Sequence, residues 1–502
     1  MSLVGFLLIS SDIGMRIYFL GICGTAMGNA ALLLRSLGHS VAGVDENVYP
    51  PMSDVLAKAG IEIRKGYDAD ALAADKPDLV VVGNALTRGN PEVEWLLTHR
   101  GVPMISLPEL LSRFVLEGRR TVVVSGTHGK TTTSALTAYL LKAAGRSPGY
   151  FIGGVPRDFP GGAALGDLRD PFVIEGDEYD SAFFDKRGKF IHYRPEILVV
   201  NNIEFDHADI FRDLADVQRS FAHLFKLVPA NGWILANGDD PNCPAAEAVP
   251  WTRLLRVGLG ESNDLRIADF REDREGIEFH LTWRGREWAR VTLPHGGEFN
   301  ARNAAMAALA SALTLFPEDP VRFPLESLAG FQGVRRRMEP LHASPDSAVF
   351  EDFGHHPTAI GQTLASLRRR FTGAEICAVV EPRSNTMRGR LLQDGLIEAL
   401  NGADQVLLGV VNRGERLPVD ERLDTAHVAA RLRDAGADSV AVKDNGDILE
   451  ELAKRDRSGG VSRRVVVFFT NGSFDGVPRR YAESLKKGAS SSAPVARARS
   501  VH

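Results

Sequence analysis

An α/β chain of about three domains is what the sequence predicts, on three observations. At ~100–200 residues per domain, 502 residues are too many for a single module. Hydrophobic residues make up 44% and charged residues 25%, with 49 Gly and 26 Pro, an ordinary globular composition that excludes disordered, collagenous and coiled-coil classes. Short apolar runs alternate with longer amphipathic stretches, as strands and helices do in α/β layers.

The apolar runs at 16–20, 41–44 and 79–82 read as strands separated by helical patterns, and they define a first unit over 15–118. A second unit, 119–332, opens with a strand at 121–124 and continues through 172–174, 197–200 and 233–235. It then passes a polar strand-like stretch at 265–293 and reaches a helix beginning near Asn300. A third unit, 333–487, holds runs at 376–380, 406–411, 439–442 and 465–469. Residues 3–9 are too short to span a bilayer and lack a basic flank and a cleavage site; they read as an extension ahead of a natural start at Met15. Residues 488–502, rich in Ser, Ala and Arg, read as a disordered tail.

Charge and cysteine usage narrow the partners. The 59 Lys and Arg against 64 Asp and Glu give a net charge of −5, and the longest basic runs are Arg335, Arg336, Arg337 and Arg368, Arg369, Arg370, so nucleic acid is not an expected partner. Cys23, Cys243 and Cys377 lie too far apart in sequence for a CxxC pair or a disulfide framework, which suits a reducing cytoplasm. No membrane or protein partner is expected.

Six segments carry chemistry. GICGTAMG (21–28) stands where the first strand turns into a helix. Its glycines let backbone N–H groups approach a diphosphate, and Asp45 at the end of the next strand is placed to accept from a ribose or base. The GxxGxxxG spacing is not the dinucleotide fingerprint, so a tight packing turn stays open as the other reading. VVVSGTHGKTTT (122–133) is a buried strand, a glycine loop, Lys130, and threonines opening a helix. Amides and Lys130 would meet triphosphate oxygens and a threonine hydroxyl Mg²⁺, although Val124 stands where the standard motif has its first glycine. EGDEYD (175–180) and NNIEFDHADIF (201–211) end strands of the same unit, where cations bound to ATP need ligands. Asp352, His355, His356 and Pro357 form a DxxHHP frame. Arg383 and Arg388 follow the strand at 376–380, on the edge where α/β sheets bind ligands such as a substrate carboxylate.

GTHGKTTT, EGDEYD, NIEFDHAD, FNARN (299–303), GVRRRME (333–339) and EDFGHHPTAI (351–360) resemble, in order and spacing, the successive motifs of the Mur ligases over residues 15–485. Within that family, EGDEYDSAFFDKRGKFIHYRP and EPRSNTMR resemble the branch that recycles muropeptides. The resemblance implies a Rossmann-like N-terminal domain for the UDP-sugar, a P-loop-type central ATPase domain, and a Rossmann-like C-terminal domain that brings the amine. Gly21, Gly24, Thr25, Ala26, Met27, Gly28 and Asp45 would bind the UDP-sugar. Gly126, Thr127, His128, Gly129, Lys130, Thr131 and Thr132 would bind the ATP phosphates, Asn300 and Asn303 the adenine, and Arg336, Asp352 and His356 the nucleotide from the C-terminal side. Thr131, Glu175 and His207 would hold Mg²⁺; Lys130, His207 and His356 would be catalytic; and Arg383, Ser384, Asn385 and Arg388 would bind the peptide. Many members carry a carbamylated lysine beyond the histidine, but 220–225 has none and Lys226 is nearest, so none is expected.

The activity so implied is cytoplasmic, ATP-dependent joining of L-alanyl-γ-D-glutamyl-meso-diaminopimelate to UDP-N-acetylmuramate through an acyl phosphate. L-alanine addition is the alternative within the family. A nicotinamide oxidoreductase leaves the Lys130 loop unexplained, and a nucleotide-gated binding protein has no use for the paired acid motifs.

Overall fold

A computed structural model describes residues 14–457 and 463–491. The expected N-terminal extension, apart from Gly14, lies outside those residues, as does 492–502; the last helix, Val477–Ser491, runs on into the stretch expected to be irregular.

Three large sheets and one two-stranded hairpin, Asp180–Ala182 with Asp185–Gly188, are formed by the described residues. The first has five parallel strands in the spatial order Glu62–Lys65, Ser40–Asp45, Arg16–Leu20, Leu79–Val82, Met104–Ser106. Strand order reverses between Arg16–Leu20 and Leu79–Val82, and the crevice above such a switch point is where open α/β sheets bind ligands. The glycine loop leaves Leu20 at that crevice.

The second sheet has ten strands. Its parallel centre runs Gly149–Phe151, Phe172–Glu175, Thr121–Ser125, Ile197–Val200, Trp233–Asn237, Arg253–Gly258. The polar stretch is an antiparallel ribbon, Leu265–Glu272, Ile277–Trp283 and Arg286–Leu293, added to one edge. Thr121–Ser125 thus sits between the two strands that end in acidic segments, with Val124 level with Glu175 and Ser125 with Val200. This pairing brings the phosphate loop and both acidic loops to one sheet edge.

Period-two alternation sends Val122 and Val124 to one face and Val123 to the other. The first face packs beneath Lys130–Ala143 and the alanine-rich helix Glu298–Leu315, so closely that the latter is buried along most of its length. The second face packs with Phe190, Phe221 and Phe225 in a core continuous with Ile17 and Phe19 of the first sheet and Leu34 of the helix that follows its glycine loop. Each such fully buried apolar side chain contributes roughly 1.5–3 kcal/mol, so this shared core fixes the first sheet against the second.

The third sheet has six strands, Glu339–Ala343, Ser347–Asp352, Arg464–Phe469, Glu375–Val380, Gln405–Leu408, Asp438–Ala441; only the first pair is antiparallel. Several short strands are absent from the sequence reading, among them Met104–Ser106, Gly149–Phe151 and Glu62–Lys65, whose alternation is too brief or too exposed to register as an apolar run.

Candidate functional site

The phosphate loop is stitched to the end of the neighbouring strand. Thr127 N–H donates to Asn202 O at 3.1 Å and His128 N–H to Asn202 Oδ1 at 2.7 Å. Gly129 has φ +79°, and a Cβ there would lie 2.6 Å from Asn303 Oδ1 and 2.8 Å from Asn201 Nδ2, so only glycine fits. The helix Lys130–Ala143 starts at the next residue and aims its unpaired first-turn N–H groups at the loop, a ready-made anion site.

Lys130 Nζ donates to Gly126 O and to Glu178 Oε2, both at 2.7 Å, and lies 3.7 Å from Asp177 Oδ1. Burial opposes the lysine charge, but Glu178 and Asp177 outweigh it and hold the ammonium above its ordinary pKa. Burial likewise opposes ionisation of Asp177, and Lys189, 2.6 Å away, with Lys130 overturns it and keeps the carboxyl well below its usual range. Glu178 is buried, and its Oε1 has no hydrogen-bond partner among the described residues; it lies 3.4 Å from His207 Nε2. Donor atoms of Asp177, Glu178 and His207 fall within 4.8 Å of one another, an arrangement that fits a cation.

The expected metal set therefore divides. Thr131 Oγ1 donates to Glu175 Oε1 at 3.0 Å, and Glu175 Oε2 accepts from Gly153 N–H at 2.8 Å, while His207 faces Glu178 and Asp177. The sequence reading passed over Glu178, although it stands in the same EGDEYD segment. His207 has φ +56°, and its backbone N–H is shared between Asp206 Oδ1 (2.7 Å) and Thr386 Oγ1 (3.1 Å) of the third sheet's unit. Burial disfavours its imidazolium, yet Glu178, Asp206 and Asp177 raise its pKa above the ordinary value.

From the C-terminal side, Asp352 ends a strand and organises backbone: Oδ2 accepts from Met338 N–H at 2.8 Å and Oδ1 from Gly354 N–H at 2.7 Å. The loop so held presents His356, whose Nε2 lies 3.2 Å from Phe205 O in the central unit. Burial and the neighbouring His128 push His356 down to about 4. Arg336, expected at the nucleotide, is turned by φ +60° into its own domain, where it donates to Glu351 Oε1 (2.9 Å), Thr470 O (2.7 Å) and Gly472 O (2.5 Å). Arg337 instead reaches Thr131 Oγ1 at 3.2 Å.

One cavity of about 620 Å³ collects these groups, within the range of ordinary ligand pockets. Residues 127–132, Glu175, His207, Asn300, Asn303, Asp352 and His356 line it, as do Glu204, Phe299 and Arg337, which the sequence reading did not assign. Gly126 lies below it, offering its carbonyl to Lys130.

The first glycine loop touches the same cavity through Ala26. Gly21 (φ +83°) turns the chain, Gly24, Thr25 and Ala26 are exposed at the start of the helix Thr25–Ser36, and Met27 and Gly28 are buried. A Cβ on Gly28 would meet Met52 Sδ at 2.3 Å, so that glycine serves packing. Asp45 holds the loop, accepting from Cys23 N–H at 2.9 Å and Asn47 N–H at 3.0 Å. Arg383, Ser384, Asn385 and Arg388 cluster as expected but outside the cavity. Ser384 Oγ caps the short helix Asn385–Arg388 at Met387 N–H (3.1 Å), and Arg388 donates to Asn385 Oδ1 at 2.6 Å. Asn385 donates to Asp209 Oδ2 at 2.8 Å, and Arg383 lies 3.4 Å from Glu381.

Comparison with known proteins decides the family. Residues 16–119 match the Mur ligase family catalytic domain, 124–312 the Mur ligase middle domain, and 336–471 the Mur ligase glutamate ligase domain. The chain belongs to the Mur ligase family. The UDP-N-acetylmuramate–L-alanyl-γ-D-glutamyl-meso-2,6-diaminoheptandioate ligase of Escherichia coli strain K12 is 41% identical to this Mur ligase over 95% of its chain and 99% of the relative. A murein peptide ligase of Psychrobacter arcticus 273-4 superposes with a TM-score of 0.67 at 34% identity, covering 94% and 99% of the two chains. The UDP-N-acetylmuramate–alanine ligase of Thermotoga maritima, at 23% identity, a TM-score of 0.74 and coverage of 94% and 100%, shares the fold. In this Mur ligase Lys226 is exposed just past the helix Leu214–Phe225 and does not line the cavity.

Proposed function

We infer that this Mur ligase uses ATP to join the α-amine of L-alanyl-γ-D-glutamyl-meso-diaminopimelate to the lactyl carboxylate of UDP-N-acetylmuramate. The observation that carries the ligase reading is the meeting of three units at one cavity: Ala26 of the glycine loop, the Lys130 loop, and Asp352 with His356. Similarity over nearly the whole chain to a ligase named for that tripeptide supports the choice of amine.

The chemistry follows from the geometry. The carboxylate attacks the γ-phosphorus, ADP departs and an acyl phosphate forms; the amine then attacks the carbonyl carbon and phosphate leaves. Anionic attack on a triphosphate is opposed by ~4 kcal/mol for each pair of unit charges ~4 Å apart at an effective dielectric of 20. Lys130, Arg337 and the helix N-terminus at Lys130 supply fixed positive charge against that repulsion. The unpartnered Glu178 Oε1 beside His207 and Asp177 suits Mg²⁺, with Thr131 and Glu175 adjoining; the ion would neutralise phosphate charge. Asp352 shapes the loop that carries His356, and the contact of His356 with Phe205 O holds the C-terminal unit at the cavity, which would shield an acyl phosphate from water. No helix among the described residues is long and apolar enough to cross a membrane, and the use of ATP and a UDP-sugar as substrates supports a cytoplasmic reaction.

The test is steady-state phosphate release with ATP, Mg²⁺ and UDP-N-acetylmuramate, offering the tripeptide or L-alanine. A higher kcat/KM for the tripeptide supports the reading. A preference for L-alanine assigns the chain to the alanine-adding reaction, and release that depends on neither amine removes the ligase assignment.

A further inference from the structure

Beside the Asp177, Glu178 and His207 cluster lies a second group of possible ligands with different chemistry. His128 of the phosphate loop, Glu204 after the strand Ile197–Val200, and His356 of the C-terminal unit bring their donor atoms within 4.8 Å of one another. Glu204 Oε2 lies 3.1 Å from His128 Nε2 and 3.4 Å from His356 Nδ1. Donors bound tetrahedrally at 2.0–2.1 Å stand about 3.3 Å apart, so both spacings are those of ligands to one ion.

The hydrogen bonding favours a cation over a simple ion pair. His356 Nε2–H donates to Phe205 O at 3.2 Å, which leaves Nδ1 unprotonated and 3.4 Å from Glu204 Oε2. An unprotonated imidazole nitrogen and a carboxylate oxygen then stand 3.4 Å apart with no proton shared between them. Nδ1 accepts from Thr358 N–H at 3.3 Å, capping the helix Pro357–Arg370, and a cation would take that lone pair from this long hydrogen bond. A ring N–H held by a backbone carbonyl is the usual outer contact of a metal-binding histidine. His128 completes the set by taking the Nδ1–H tautomer, which frees Nε2 without net release of a proton.

We propose that His128, Glu204 and His356 form a second metal site, selective for a borderline divalent cation such as Zn²⁺, Mn²⁺ or Co²⁺ over Mg²⁺. Two imidazoles and one carboxylate suit those ions, whereas Mg²⁺ prefers oxygen ligands and the carboxylate-rich cluster around Glu178. All three residues line the cavity, so three protein ligands leave a coordination position open toward its contents. Because His356 belongs to the C-terminal unit and the other two to the central one, the ion also ties the two units together across the cavity. The inference rests on this geometry and stands whether or not the ligase reading holds.

The test is Co²⁺ titration of the chelator-stripped, nucleotide-free, full-length enzyme, followed by visible absorption. One Co²⁺ per chain with four-coordinate ligand-field bands is expected, bound at least ten-fold more weakly in His356→Gln and in Glu204→Gln and unchanged in His207→Gln. Bands lost in His207→Gln but kept in His356→Gln, or no bands at all, would overturn the proposal. X-ray absorption of the unsubstituted Co²⁺ enzyme needs no variant to fold: two imidazole ligands support the site, and one or none refutes it.

Discussion

Replacing Lys130 by Met strands two acidic side chains beside the phosphate loop. In the nucleotide-free protein the ammonium sits 2.7 Å from Glu178 and 3.7 Å from Asp177, with Lys130 11% and Glu178 2% exposed. At an effective dielectric of 20 the closer contact alone corresponds to about 6 kcal/mol of attraction, partly offset by desolvation. Breaking a buried pair by removing one partner costs ~3–5 kcal/mol, because the remaining charge has lost its counterion. Hydrogen exchange of the helix Lys130–Ala143 in magnesium-free buffer reads that cost locally, without assuming that a chain of several units unfolds in one step. Amide exchange there should accelerate by roughly 100-fold to several thousand-fold at ~1.4 kcal/mol per decade. Adding Glu178→Gln should restore ~2 kcal/mol or more, since the stranded charge is gone. The same Lys130→Met enzyme should lose nearly all turnover and keep its affinity for UDP-N-acetylmuramate. Exchange accelerated less than ten-fold, or double-variant effects that add within ~0.5 kcal/mol, would refute the reasoning.

Other perturbations read the same site differently. Glu178→Gln should raise the Mg²⁺ concentration for half-maximal rate at least ten-fold, and more than Glu175→Gln does; equal titrations would remove Glu178 from the cation site. A proton on His207 competes with the cation, and its pKa lies above 6.5, so apparent Mg²⁺ affinity should rise with pH through that range and His207→Gln should flatten the dependence. In the nucleotide-free protein that proton's stabilisation is complete below about 6.5 and is lost as pH rises through the raised value. Gly129→Ala should abolish ADP binding in calorimetry, because its Cβ would collide with Asn303 and Asn201 at φ +79°; ordinary ADP affinity would contradict the loop geometry.

What the sequence made legible follows physical range. The buried strands at 16–20, 121–125 and 197–200 announce themselves because, Arg16 at the first strand's edge apart, every residue is apolar or small, and the glycine loop because a lysine and threonines follow it directly. Asp45 was placed at the right strand end, but only the folded register shows that it is occupied with the N–H groups of Cys23 and Asn47. EGDEYD holds four acids in six residues, and no linear spacing says which one turns inward. The strand Phe172–Glu175 ends at the first acid, and the chain then folds back through Asp180–Ala182, burying Glu178 between Lys130 and His207. Arg336 and Arg337 are indistinguishable in sequence, and a left-handed residue at Arg336 decides which reaches the cavity. Such outcomes depend on the folded backbone and on contacts between segments distant in sequence, which local patterning does not encode.

The claim that this enzyme joins a preformed tripeptide is tested most directly by product mass in competition. UDP-N-acetylmuramate, ATP and Mg²⁺ are supplied with equimolar L-alanine and L-alanyl-γ-D-glutamyl-meso-diaminopimelate, and the UDP-linked products are resolved by mass spectrometry. The account predicts UDP-N-acetylmuramyl-tripeptide as the dominant product, formed one for one with ADP. A dominant UDP-N-acetylmuramyl-L-alanine peak, or ADP formed with no new UDP-linked mass, would contradict it.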